Sequence, residues 1–388
     1  MSFFKSFILP TSLLAGTIVG AGIFSLPYVF KMSGVGLGII FLILFTFIYC
    51  VIHLMYADLI IKNGDKHRFA GLAKIYFGNF GYWTSILMTI IEMFFVLTIY
   101  LILSFSFLSL VFPSVPQIFQ VIIFWWVGSV IIFSGIKKIS LFEFLSIVGI
   151  IGAVALIVFW GGLAFFNKPL ELVSSSPIFW LMPFGAILFS LNGRPAVPSV
   201  ISYFKDNAID PIKSKKSIIW GTIIPAIIYL AFIFGVLGIS KSITPDSVSG
   251  IVASISSQFS ISVLAILGIL ALVSSYFSIG LDVFKSLEFD LKFSKFFSMF
   301  LAILAPIFIY FLDIGGFIKL VEIAGGFFIG FEGIFIVAMW SKMRSGELSV
   351  GHLRRTLILN FSPILKNALY FVFGLSILYV VVSTLFNF

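Results

Sequence analysis

Apolar runs long enough to cross a bilayer recur from one end of this chain to the other, and no other feature limits its fold as tightly. Eleven are readable, at about 8–30, 34–61, 82–112, 117–135, 141–166, 178–203, 218–240, 261–284, 296–312, 316–341 and 364–387. A helix of roughly 20 apolar residues spans the ~30 Å hydrocarbon layer. With no water there to take up main-chain N–H and C=O groups, helices are the form such runs adopt. The longest connections, Lys62–Gly81, Lys241–Ser260 and Lys342–Lys366, leave no room for a soluble domain. Only 10% of residues are charged, against about a quarter in an ordinary soluble chain. The expectation is one all-α polytopic membrane domain over residues 1–388, with eleven transmembrane helices.

The net charge of +9 is explained by its distribution. With the N-terminus inside, nineteen of the 24 Lys and Arg residues fall in inner segments: Lys5, the 62–74 cluster with Lys66, Lys137 and Lys138, the 205–216 and 285–295 clusters, and the 342–366 stretch with Arg354 and Arg355. Lys31, Lys168, Lys241 and Lys319 fall outside. This positive-inside bias places the N-terminus in the cytoplasm and the C-terminus outside, in a cell membrane. It calls for no nucleic-acid partner. The lone Cys50 excludes an intrachain disulfide and a cysteine metal cluster. The first apolar run is longer than a signal-peptide core and lacks a small-residue cleavage site, so no cleaved leader is expected. His53, His67 and His352 form no H-E-x-x-H, and no serine–histidine dyad falls on facing spans, which argues against an enzyme. No ring of charge or repeated filter points to a channel.

Two spans are interrupted. In the first, "LLAGTIVGAGIFSLPYVF" (Leu13–Phe30), Gly20, Ala21 and Gly22 sit in mid-span and Pro27 follows. Glycine lowers the penalty for leaving helical geometry, and proline removes a backbone donor. Unwound backbone at membrane depth is tolerated only when buried in protein or lining a cavity. There it offers free N–H and C=O groups suited to a carboxylate and a small cation. Gly16-x-x-x-Gly20 is also a helix-packing pattern. The sixth span, "LMPFGAILFSLNGRPAVPSVISYF", weighs against packing alone: Asn192-Gly193 breaks it, and Gly193 to Pro198 repeats the Gly22-to-Pro27 spacing. Matching breaks in two halves mark a transporter site. Five spans per half turn the second copy upside down, giving inverted repeats at 8–166 and 178–341, with 364–387 an added helix.

"GTIVGAGIFSLPY" resembles the first-span signature of the amino acid/auxin permeases and the bacterial aromatic amino acid permeases, within the amino acid–polyamine–organocation superfamily. "FSLNGRPAVPSV" and "ALVSSYFSIGLDVF" (Ala271–Phe284) are similar to that group's sixth- and eighth-span motifs. The resemblance implies a LeuT-type fold of five plus five helices, amino acid substrates and cation coupling. Arg194 stands where the family often has His, Ser274 where the bacterial branch has Thr, and Glu332 where relatives are usually uncharged.

On that resemblance, a substrate carboxylate is expected at the N–H groups of Ala21, Gly22 and Ile23. Its amino group is expected at carbonyls there and near Phe189, Ser190 and Asn192. Thr17, Gly20, Gly193 and Arg194 adjoin these, and Tyr100 and Tyr276 are side-chain pocket candidates, with Thr98 at similar depth. Ala271-x-x-Ser274-Ser275 matches the sodium-coupled members' motif, with carbonyls of Gly16 and Val19 completing a five-oxygen Na+ site. Hydroxyls that merely bond their own helix are the plain alternative. Span 5 lacks the lysine that replaces the cation in some proton-coupled relatives, which favours Na+ over H+ as coupling ion; no other cofactor is expected. Glu92, Arg194 and Glu332 lie inside spans, where ionic groups are costly and functional by default. Arg194 has Glu92, Glu332 or an anionic substrate as possible partners. The expected function is cation-coupled amino acid symport by alternating access. An H+-coupled antiporter and an amino-acid sensor on the same fold are the alternatives.

Overall fold

A computed structural model describes residues 3–63, 68–134, 139–167, 171–350, 357 and 362–386. Of the residues used above, Lys66, His67, Lys137, Lys138, Lys168, His352, Arg354, Arg355 and Asn387 lie outside the described residues. The described chain is helical, with no strand among these residues. Six helices are long and apolar enough to cross a membrane, and the bent pair Phe4–Ile18 and Ala21–Ser33 makes a seventh candidate. Shorter apolar helices occupy Gln117–Ile132, Gly149–Phe165 and Lys295–Phe311. Large apolar side chains face outward along them, such as Phe159 at 83% and Leu163 at 87% exposure. Such a surface suits lipid and not water.

Span 1 runs as Leu9–Ile18, a 3-10 turn Ala21–Ser25 and Leu26–Ser33, and span 2 as Val35–Asn63. Span 3 begins earlier than the sequence suggests. Helix Phe69–Val111 takes in half of the expected 62–81 loop, and Gly78 (φ 66°, ψ −154°) kinks it where only glycine is at ease. Spans 4 and 5 are Gln117–Ser134 and Ile139–Phe165. Span 6 is Pro183–Leu191, a 3-10 turn Arg194–Ala196 and Val197–Asp206. Spans 7, 8 and 9 are Ser214–Ile239, Gln258–Lys285 and Lys295–Phe311. Span 10 is not a uniform helix: Gly316–Glu322 leads into a π-helical stretch, Ile323–Ile329, before Gly330–Val350. Its last turns overrun the expected 342–366 loop. Span 11 is Pro363–Phe386.

Small residues set how closely the helices meet. In spans 5 and 7, Gly161, Gly235 and Gly238 face one another so tightly that a Cβ on any of them would meet main chain across the interface. Gly185 of span 6 and Gly325 in the π stretch of span 10 do the same. Without a hydrophobic drive between helices in lipid, such close backbone packing is a main source of association. The 241–260 segment, expected to dip back as a lid, carries the short helix Val248–Val252. Ser247 Oγ donates to the Phe24 carbonyl at 2.7 Å, fastening this segment to the second half of span 1.

Candidate functional site

The two breaks meet in the buried interior. In span 1, Val19 (φ −72°, ψ 93°) and Gly20 (φ −138°, ψ −155°) are extended, and the helix halves on either side are bent by 49°. In span 6, Asn192 (φ −67°, ψ 106°) and Gly193 (φ −114°, ψ 7°) leave the helix. Gly22 lies against Ser190, where a Cβ on Gly22 would stand 2.5 Å from Ser190 Oγ and 2.7 Å from its Cα. Pro27 and Pro198 each fall in the first turn of the half-helix that follows, where the missing N–H is harmless.

The orphaned main-chain groups are served by side chains from spans 2, 3 and 7. The Tyr229 hydroxyl reaches the Ile18 carbonyl at 2.6 Å and the Ser190 carbonyl at 2.7 Å, so one buried phenol ties the ends of both broken half-helices. Tyr49 donates to the Leu188 carbonyl at 2.6 Å. The Gly193 N–H donates to Nε2 of buried His53 at 3.2 Å. His53 Nδ1 lies 2.9 Å from Thr222 Oγ1, whose own hydrogen goes to the Ile218 carbonyl at 2.9 Å. That pattern is consistent only with a neutral imidazole carrying its proton on Nδ1. Tyr49 and His53 are four residues apart, and Thr222 and Tyr229 seven, so each pair shares one helix face.

The candidate substrate residues separate into groups. Gly22 and Ser190 are in contact, Gly193 packs on Leu14 and Ile18 of the first half-helix of span 1, and the Phe189 carbonyl accepts from the Asn192 N–H at 3.5 Å. The Ile23 N–H is taken by the Gly20 carbonyl at 3.3 Å, while Ala21 and Gly22 open the 3-10 turn and have no acceptor within it. Tyr100 joins the site: its hydroxyl faces the Ala21 backbone and Ser275, and lies beside Gly20. Thr17 does not; it is exposed and donates to its own helix at Leu13. Tyr276 does not either. It packs against Gly128 and Phe124 of span 4, turned away from the breaks. Thr98 bonds Phe94 and Pro306 carbonyls, facing span 9.

For the candidate cation residues, Ser274 is buried and Ala271 packs on Gly149 of span 5. Tyr100 stands between the span-1 break, which holds Val19 one turn beyond Gly16, and Ser275. The ion-pair partner of Arg194 is settled. Arg194 Nε donates to Glu332 Oε2 and Nη2 meets Oε1, both at 2.7 Å, a buried bidentate pair. Thr89 adds a hydrogen bond to Glu332 at 3.3 Å, and Phe69 lies 4.8 Å under the guanidinium. The π stretch just before Glu332 shifts the face that the rest of span 10 presents. Glu92 faces the same cluster, accepting from Asn192 Nδ2 at 3.3 Å.

A family model described as the tryptophan/tyrosine permease family matches residues 4–353. The chain belongs to that family. No curated protein sequence matches this permease. Among solved structures it is similar to a manganese transporter from Eremococcus coleocola in complex with an aromatic bis-isothiourea compound, with 12% identity and a TM-score of 0.64, covering 97% of this chain and 85% of that one. It is similar to Mhp1, a nucleobase-cation-symport-1 family transporter in a closed conformation, with 16% identity and a TM-score of 0.62, covering 97% and 90%. It is also similar to MhsT in complex with L-phenylalanine, with 18% identity and a TM-score of 0.57, covering 99% and 98%. The fold is therefore the LeuT fold, and the permease is a multi-pass membrane transporter.

Proposed function

We propose that this permease carries an aromatic amino acid into the cell by cation-coupled alternating access, with the N-terminus in the cytoplasm. The carrying observation is the contact of Gly22 with Ser190, which makes one site of two broken helices from opposite halves of the chain. The main-chain groups gathered there suit the two ends of an amino acid: N–H groups of Ala21 and Gly22 for a carboxylate, and carbonyls of Ile18 and Ser190 for an ammonium group. Tyr229 holds those two carbonyls in this conformation, so its hydroxyl occupies the place an ammonium group would take. Arg194 is engaged by Glu332, which supports a neutral substrate over an acidic one. The family description supports an aromatic side chain.

The test is counterflow in proteoliposomes. Vesicles loaded with unlabelled tryptophan or tyrosine should draw in the labelled amino acid without any ion gradient. Binding without flux would favour an amino-acid sensor on the same fold. Counterflow together with no uptake into empty vesicles under an inward cation gradient would favour an antiporter.

A further inference from the structure

Among the described residues of the buried ionic cluster, Glu92 is the acid with a carboxyl oxygen that no donor meets. It lies on span 3, and its three neighbours in the cluster come from elsewhere: Glu332 from span 10, Arg194 and Asn192 from span 6. Its Oε1 accepts from Asn192 Nδ2, and its Oε2 is buried with no donor. The two carboxyl groups face each other. Glu332 holds both arms of the guanidinium and the Thr89 hydroxyl as well. On span 2, Tyr49 faces both carboxyls, and Tyr56 faces Arg194 and Glu332. Asp282 of span 8 lies in range of Arg194, Arg68 and Lys285; Arg68 is half-exposed and sits 3.8 Å from Asp290. So one guanidinium serves two facing carboxyls in an apolar interior. Two such groups do not both stay ionised, and a carboxylate oxygen without a donor is expensive to bury. A proton on Glu92 Oε2 removes both problems, turning a donorless acceptor into a donor on the Glu332 carboxylate's side of the cluster.

The position of Asn192 makes this proton consequential. Its amide is oriented by the Arg194 N–H, which donates to Oδ1 at 3.2 Å, leaving Nδ2 to donate to Glu92. Asn192 is the first residue of the span-6 break, and Arg194 opens the turn after it. When Glu92 loses its proton, its carboxylate competes with Glu332 for the guanidinium and pulls on the residues that shape the break.

We propose that Glu92 is the carrier of the coupling proton, and that Asn192 and Arg194 convey its protonation to the span-6 break. The step is a simple transfer. A proton from outside forms the O–H bond at Oε2 and neutralises the carboxylate; on the inward side that bond breaks and the proton leaves with the substrate. This rests on the transport reading above and adds the identity of the coupling ion and its site.

The decisive variant is Glu92→Gln, which mimics the protonated acid in shape, charge and hydrogen bonding. In proteoliposomes, an inward proton gradient of one pH unit should concentrate the amino acid up to about tenfold in the wild type, the limit for one proton per substrate. In Glu92→Gln the accumulation ratio should fall to unity while exchange persists. Accumulation by the variant, or wild-type accumulation driven by sodium and not by protons, overturns the proposal. Infrared spectroscopy separates this failure from a failure of the transport reading. The reconstituted wild type should show the carbonyl band of a buried protonated carboxylic acid at neutral pH, and Glu92→Gln should lose it, whether or not any amino acid is carried. An unchanged spectrum refutes the site. Should the variant fail to insert, calorimetry on the wild type in buffers of different ionisation heat decides: at alkaline pH, tryptophan binding should take up close to one proton, and no uptake at any pH refutes it.

Discussion

Gly22→Ala tests the paired-break site most directly, because the added methyl has nowhere to go. It would stand 2.5 Å from Ser190 Oγ, 2.7 Å from Ser190 Cα and 2.9 Å from Ser190 Cβ. Carbon atoms are at ease at about 3.5–4.0 Å, so the methyl falls roughly 1 Å inside contact. The Oγ can rotate away but the Cα cannot, so one of the two breaks must move. Overpacking of this kind costs about 1–3 kcal/mol. The usual gain of alanine over glycine is absent, since Gly22 sits at the start of a 3-10 turn and not inside an α-helix. If the substrate requires the two breaks in register, its affinity should fall roughly 5- to 150-fold at about 1.4 kcal/mol per tenfold. The assay is equilibrium binding of labelled tryptophan to the purified protein, with thermal melting to confirm that it is folded. Gly374→Ala on span 11, where a Cβ would meet nothing within 4 Å, is the matched control. Affinity in Gly22→Ala within roughly twofold of wild type, the range of a neutral surface change, would refute the assignment of the substrate to this contact.

Three further outcomes follow from the same geometry. Tyr229→Phe leaves the Ile18 and Ser190 carbonyls without their shared donor and should lower stability by about 1–3 kcal/mol, read as a lower melting temperature; an unchanged melt would mean water serves those carbonyls equally well. Glu332→Gln strips the buried Arg194 of its bidentate partner and should destabilise by about 3–5 kcal/mol, giving less folded protein than Glu92→Gln in the same membrane fractions; equal yields would contradict the division of roles between the two acids. Replacing Ser274 and Ser275 together with Ala should leave uptake indifferent to sodium, as in the wild type. A sodium stimulation that the wild type shows and the double variant loses would give the coupling ion to span 8.

What could be read from the sequence was position along the membrane normal, and what could not was rotation about each helix axis. The breaks were legible because glycine and proline act locally. Gly20 to Gly22 and Asn192-Gly193 interrupt their helices whatever surrounds them, and Pro27 and Pro198 open the next half-helix. Tyr100 and Tyr276 show the limit. Both sit at mid-depth on polar-poor spans, yet one turns to the break and the other to Gly128 of span 4. In a helix that is apolar on all sides, no hydrophobic stripe tells which face is inward. The partner of Arg194 was hidden for the same reason. It lies 138 residues away, on a helix whose register is offset by a π stretch that no residue type in "IAGGFFI" announces. His53 and Tyr49 carry a usable signal: two polar side chains one turn apart in an apolar span must find partners inside the protein, since lipid offers none. Their partners are the freed groups of the span-6 break, Gly193 N–H and Leu188 C=O. Polar residues at helical spacing therefore locate the helices that face a break, as glycine and proline locate the break itself. By that rule Thr222 and Tyr229 mark span 7 as the other wall, and Glu92, buried with one oxygen undonated, marks where a proton belongs.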